Sequence, residues 1–198
     1  MNKITLKGVF TNAKPSHKIK DIEYDQANIL VPRKDGKEDL ISIKYKKFCN
    51  HYNEGDNIEI TGNVRSFSQK LNNGKNKVSL YVFTYFDIPE GEEINQFEID
   101  GRICKIEEIR TTKDGKKNLH LILANNLIAK ESNQKLNSYL PCIAWGKQAI
   151  ALSKLNVNDK ITIKGELHSR QYKKLLDNNE YEFRLAHELV ITEFQQLA

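Results

Sequence analysis

The sequence predicts an all-β chain with short helices, folded as two tandem five-stranded barrels, and three observations carry that prediction. One strand pattern occurs four times, its occurrences fall into two similarly spaced pairs, and an acidic connector separates two basic halves. The pattern is apolar-x-apolar-x-Gly-x-apolar. It reads Ile4-Thr5-Leu6-Lys7-Gly8-Val9-Phe10, Ile58-Glu59-Ile60-Thr61-Gly62-Asn63-Val64, Phe97-Glu98-Ile99-Asp100-Gly101-Arg102-Ile103 and Ile161-Thr162-Ile163-Lys164-Gly165-Glu166-Leu167. Alternation with period two marks half-buried strands, and the lone Gly marks a bulge or bend. Gly8 and Gly101 stand 93 residues apart and Gly62 and Gly165 stand 103 apart, so the chain is a tandem duplication.

In the first unit, Arg33-Lys34-Asp35-Gly36 predicts a hairpin turn and Leu40 to Tyr45 the third strand. Asn72-Asn73-Gly74 then turns into a strand at Val78-Ser79-Leu80-Tyr81-Val82. Asp87-Ile88-Pro89-Glu90-Gly91-Glu92-Glu93 combines Pro, Gly and a charge run, as exposed linkers do. The expected limits are residues 1–89 for the first unit, 90–96 for the linker and 97–198 for the second unit. In the second unit Lys113-Asp114-Gly115-Lys116 turns into Leu119–Leu123, Tyr139 to Trp145 forms a third strand, and Lys147 to Leu155 a short helix. Ala149, Leu152 and Leu155 share one face of that helix. Leu176-Asp177-Asn178-Asn179 turns into Tyr181–Leu185. Five strands with a helix between the third and fourth is the order of the OB-fold, a small Greek-key barrel.

Composition narrows the function. No apolar run approaches the roughly 20 residues that a membrane span requires, and the alternating N-terminus lacks the continuous apolar core of a secretory signal, which predicts a cytoplasmic protein. Cys49, Cys104 and Cys142 are odd in number and widely spaced, so buried free thiols are expected rather than disulfides. No Cys-x-x-Cys pair or ligand cluster predicts a metal, and no cofactor is expected. A net charge of +5 favours a polyanionic partner, weakly, because the Asn- and Ile-rich composition itself suggests an AT-rich genome that enriches Lys everywhere. With no phosphate-cradling Gly loop and no nucleophile paired to a base, an enzyme is the least supported class.

Tyr139-Leu-Pro-Cys-Ile-Ala-Trp-Gly-Lys147, followed by Gly165-Glu-Leu-His-Ser-Arg-Gln-Tyr172, resembles the bacterial single-stranded-DNA-binding family over nearly all of residues 96–194. In residues 1–88 the resemblance is weaker, resting on the paired Gly strands and on Gly62-Asn-Val-Arg-Ser-Phe67. The tandem arrangement is similar to two-domain members from low-GC Gram-positive bacteria and their mobile elements. The resemblance implies base-stacking roles for Tyr139, Trp145 and Tyr172 and phosphate contacts for Lys147 and Arg170. It also implies a homodimer that supplies four barrels. The chain lacks the acidic recruiting tip with which many family members end, which puts recruitment of replication and repair proteins in doubt.

The physical reading of these residues agrees with that implication. Any base offers a π-face, so exposed aromatics bind single strands without sequence preference while neighbouring cations neutralise phosphates. Arg170-Gln171-Tyr172-Lys173-Lys174 sets cation beside aromatic at the start of a hairpin arm, although Lys173 and Lys174 also suit a solvated hairpin tip. Trp145 lies in an apolar run where packing competes with stacking. In the first unit a gapless register puts Ser42 opposite Trp145 and Gln69 opposite Tyr172, which leaves Lys44, Tyr45, Arg65, Phe67 and Lys70 to build a weaker platform. Two rivals remain: a primosome-like adaptor that binds protein, and an RNA-binding OB protein, since stacking does not sense the 2′-OH.

Overall fold

The structure, a computed structural model, describes residues 1–70, 76–87, 94–128, 135–175 and 180–197. The first unit contains β1 (Asn2–Ile19), β2 (Ile22–Pro32), β3 (Glu38–Lys46), a 3-10 turn at Lys47–Cys49, β4 (Asn57–Lys70) and β5 (Asn76–Thr84). The second contains β6 (Asn95–Ile106), the two-residue β7 (Arg110–Thr111), β8 (Lys117–Ile128), β9 (Lys135–Trp145), helix α1 (Gly146–Leu152), β10 (Lys160–Leu175) and β11 (Tyr181–Gln196). Each unit closes on itself. β1 pairs with both β2 and β4, β2 with β3, β4 with β5, and β3 with β5 in parallel. β6, β8, β9, β11 and β10 repeat that circuit, with β9 and β11 the parallel pair. These are two tandem OB-folds, and closure removes exposed sheet edges.

Inward-facing Ile, Leu, Val and Phe at alternate positions fill each barrel, from Ile4, Leu6 and Phe10 in the first to Leu140, Ile161 and Ile163 in the second. The four repeated glycines sit where a neighbouring strand crosses too close for a side chain. At Gly165, beside a bulge in the β10–β11 ladder, a Cβ would overlap the Val190 carbonyl oxygen. Helix α1 ends three residues before the expected Leu155 and has no side-chain cap; Ala149 and Leu152 are buried as expected and Leu155 packs against the core. The expected turns at 72–74 and 176–179 and most of the linker lie wholly or largely outside the described residues.

All three cysteines are free, but only Cys142 is fully buried. Cys104 is exposed because it alternates with the inward-facing Ile99 and Ile103 and so falls on the outer face of β6, and the expectation of buried thiols fails there.

The halves join through antiparallel pairing of β1 with β6, which sets Ile4 opposite Phe97, Asn2 opposite Ile99 and Leu6 opposite Asn95. Ile4 and Phe97 hold the same place in the repeat, so a pseudo-twofold axis passes between them, as in an isologous dimer. Its polar contacts come in related pairs. The buried Asn2 amide donates to the Val64 carbonyl at 2.8 Å and accepts from the Val64 N–H at 2.8 Å. Asn95 does the same with Leu167, at 2.9 and 3.0 Å. Likewise the Leu40 N–H donates to Ser169 Oγ at 2.9 Å and the Tyr139 N–H to Ser66 Oγ at 2.8 Å.

One of these latches carries charge. Asp39 is 0% exposed, accepts two bonds from Arg33 and one from the Ser169 N–H, and Arg33 also donates to the Ser169 carbonyl. The His187 Nε2 lies 2.8 Å from the Leu40 carbonyl, to which only an N–H can donate. Burial pushes the His187 pKa below 6.5, against smaller upward effects of the Leu40 hydrogen bond and Asp39. A depressed imidazole binds fewer protons folded than unfolded, so its contribution is present above 6.5 and is lost as pH falls through the depressed value. Urea titrations are expected to show stability declining over that acid window in the wild type and a flatter profile in His187→Gln.

Candidate nucleic-acid interface

The exterior of each barrel is formed by the residues that alternate with its core. On β9, Tyr139, Pro141, Ile143 and Trp145 share that outer face, with Tyr139 51% and Trp145 41% exposed. Six residues of strand separate the two rings by about 20 Å. Lys147 is exposed one residue into α1 from its start, just beyond Trp145.

The β10–β11 arm extends past the barrel as a two-stranded ribbon. Arg170, Tyr172 and Lys174 alternate onto one side, with Arg184 opposite Tyr172 and bonded to Glu182. Lys173 takes the other side, its Nζ 5.3 Å from the centre of the exposed Phe183 ring. The structure therefore splits Lys173 from its two neighbours. It also adds Tyr181 and Phe183, both exposed, which the sequence reading left as ordinary strand residues. Their signal was the alternation Tyr181-x-Phe183 facing a run of cations on the paired strand.

In the first barrel Lys44, Arg65 and Phe67 share the outer face with Tyr81 and Phe83 of β5 and Tyr85 just beyond its end, although Phe83 is covered by its neighbours and buried. Lys44 Nζ lies 4.8 Å from the Tyr81 ring centre and 6.0 Å from that of Phe67. The Arg65 guanidinium sits 3.9 Å above Phe83, which is 5.2 Å from Tyr85 and 6.2 Å from Tyr24. Lys46 Nζ adds contacts of 5.5 Å to Tyr85 and 5.7 Å to Phe48. Cation–π contacts of this kind are worth about 0.5–2 kcal/mol each. Burial pushes the pKa of Lys44 and of Arg65 below their ordinary values, and for Arg65 nearby phenols, Tyr81 first, partly oppose it.

Tyr45 does not belong to this face. It is 0% exposed, packs on Phe86 and Phe10, and its hydroxyl has no partner, so burial pushes its pKa up to about 12. Odd positions on β3 point inward, which makes Tyr45 a core residue and unavailable for stacking. Lys70 is exposed at the end of β4.

The latch serines correct the internal alignment. Leu40 and Tyr139 are counterparts, so Trp145 corresponds to Lys46 and not to Ser42. The connection between the third and fourth strands is four residues longer in the second unit, where it includes α1, which displaces a gapless register anchored on the fourth strands. Counterparts across β4 and β10 keep the original spacing, so Gln69 still matches Tyr172. On the fifth strands Val82 and Leu189 match, so Tyr81, Phe83 and Tyr85 correspond to Glu188, Val190 and Thr192. The first barrel thus carries an aromatic cluster, with cations over it, at positions where the second has none and which the sequence reading did not single out.

Among the described residues no helix is long and apolar enough to cross a membrane, and no group of three or more His, Cys, Asp or Glu could hold a metal ion. Two crystal structures of the single-stranded DNA binding protein from Thermus aquaticus match the whole chain. A deletion mutant of it is 17% identical with a TM-score of 0.71 over 95% of its length, and the wild type 16% identical with 0.71 over 93%. The priB protein from Ralstonia solanacearum covers 53% of the chain at 15% identity, and its TM-score of 0.41 carries no argument. No curated protein matches by sequence. The model of the single-strand binding protein family matches residues 94–197, more than half of the chain, and by that match the chain belongs to the single-strand binding protein family.

Proposed function

We propose that the chain holds single-stranded DNA along the outer faces of both barrels, without marked sequence preference, and keeps it from re-pairing or digestion during replication, recombination or repair. The observation that carries this is the separation of residues by face: Tyr139 and Trp145 stand exposed on the outer face of the barrel wall while Leu140, Cys142 and Ala144 between them point inward. Tyr139, Trp145 and Tyr172 stack bases; Lys147, Arg170, Lys173 and Lys174 contact phosphates. In the first barrel Phe67, Tyr81 and Tyr85 take the stacking role, with Lys44, Arg65 and Lys70 beside them. Neither task needs a catalytic group, so the protein acts as a passive binder and not as an enzyme.

Each barrel forms a domain. The first runs to about residue 89, and the second starts as early as Asn95, which is already bonded to Leu167. Two chains associate to give four barrels, in the cytoplasm, where single-stranded DNA is exposed.

Titration with poly(dT) while following the fluorescence of Trp145, the only tryptophan, tests the reading. Quenching is expected. Replacing Tyr139 with Ala is expected to cost about 1–3 kcal/mol of affinity, the usual worth of one stacked base. Unchanged fluorescence at saturating oligonucleotide and low salt would remove Trp145 from the track, and unchanged affinity would remove Tyr139.

A further inference from the structure

The pseudo-twofold axis relates two clefts between the barrels, and their linings have diverged. One, of about 380 Å³, has Arg65, Phe83 and Tyr85 of the first barrel on one side and Ile128 and Leu136 of the second on the other, with Lys3 at its edge. Its counterpart is lined by Pro32, Arg33, Lys34, Asn95, Gln96 and Glu166, and contains no aromatic ring. From this difference we infer that the first cleft is a slot for one unstacked nucleotide of the bound strand, inserted where the DNA passes from one barrel to the other. This inference rests on the single-stranded-DNA reading above and adds the crossing point.

Three features of the cleft fit a nucleotide. Its volume lies within the range of small-ligand sites, roughly 300–1,000 Å³. One wall presents the exposed Tyr85 ring, with Phe83 buried beneath Arg65 behind it, and the other is aliphatic. Ile128 is largely exposed at the end of β8, so a base lying against Tyr85 would cover apolar surface that water now touches. The third feature is charge. Arg65 is half-buried, and among the described residues its Nε has no hydrogen-bond partner and the groups that act electrostatically on it are phenols and not carboxylates. A cation withdrawn from water without a counter-charge is costly, and a phosphate oxygen supplies the missing charge. Lys3 adds a second cation, while Asp87 is the one carboxylate in the lining. The related cleft has Glu166 where the first has Asn63, and of its two cations, Arg33 and Lys34, Arg33 is already bonded to Asp39, which disfavours a phosphate there.

The test uses the full chain and an oligo(dT) of about 30 nucleotides, long enough for two barrels at up to roughly 16 nucleotides each. With photoreactive 5-iodouracil replacing thymine throughout, ultraviolet cross-linking and peptide mass spectrometry are expected to place an adduct on Tyr85. Tyr85→Leu removes the ring and keeps apolar bulk, and Ile128→Ser alters the opposite wall from the other barrel. Each is expected to weaken binding about five- to tenfold, the lower range for one stacked base, with an unchanged thermal midpoint excluding misfolding. Arg65→Gln is expected to reduce the slope of log affinity against log salt by about 0.7. If the wild type binds and cross-links only at other residues, and Ile128→Ser binds as tightly as the wild type, the slot is refuted while DNA binding stands. If the wild type binds no oligonucleotide at low salt, both readings fall.

Discussion

Raising monovalent salt fourfold is expected to weaken binding to poly(dT) roughly a thousandfold. The basis is a count of cations along the proposed track: Lys44, Arg65, Lys70, Lys147, Arg170, Lys173 and Lys174. Among the described residues none of these forms an ion pair with a carboxylate, so none must give up a protein partner to meet a phosphate. Each phosphate neutralised on a single strand contributes about −0.7 to the slope of log affinity against log salt, so the set gives a slope near −5. A filter-binding or fluorescence titration at several salt concentrations measures it directly. A slope shallower than about −2 would mean that most of these cations stay hydrated when DNA is bound.

The second large effect concerns the joint between the barrels. Asp39→Ala is expected to destabilise the protein by about 3 kcal/mol, near the lower end for breaking a buried ion pair. The carboxylate is fully enclosed, whereas the Arg33 side chain keeps 19% exposure and can recover some hydration after the change. The Ser169 N–H, by contrast, loses its acceptor. The Asp39 hydrogen bond is the largest contributor to raising the Arg33 pKa, consistent with a guanidinium held tightly in its charged form. Urea unfolding with an unchanged m-value reads the loss, and a shift in midpoint worth less than about 1 kcal/mol would show that the latch adds little. Because Ser169 lies at the base of the β10–β11 arm, poly(dT) affinity is expected to fall in the same variant.

Much of the architecture was legible from local pattern. Period-two alternation located the strands, and the lone glycines marked where barrel strands cross closely. The helix end was misplaced because Leu155 is apolar and packs on the core from outside the helix, so periodicity alone extended it. The site was less legible for a different reason. Alternation states which residues share a face but not which face is inside, and Tyr45 shows the cost: aromatic, flanked by two lysines, and fully enclosed. Tyr81-Val82-Phe83-Thr84-Tyr85 had the opposite fate, an alternating aromatic row of which only Tyr81 and Val82 were read, as the end of a strand. Its position across from Arg65 and Lys44 depends on pairings between segments distant in sequence, which no local pattern contains. The Arg33–Asp39 latch was hidden likewise, since a turn with charges at its ends looks the same whether it faces water or another barrel.

Joining both halves in one polypeptide has an effect on heredity as well as on shape. In an assembly of identical subunits any substitution appears on both sides of the axis at once, so neither side can improve alone. Here the pairing of β1 with β6 preserves the symmetric geometry while each side of it is encoded separately. Tyr81 can face outward in one half while Glu188 occupies the same place in the other, and a directional path for a polar strand, entering by one surface and leaving by a different one, becomes accessible to selection.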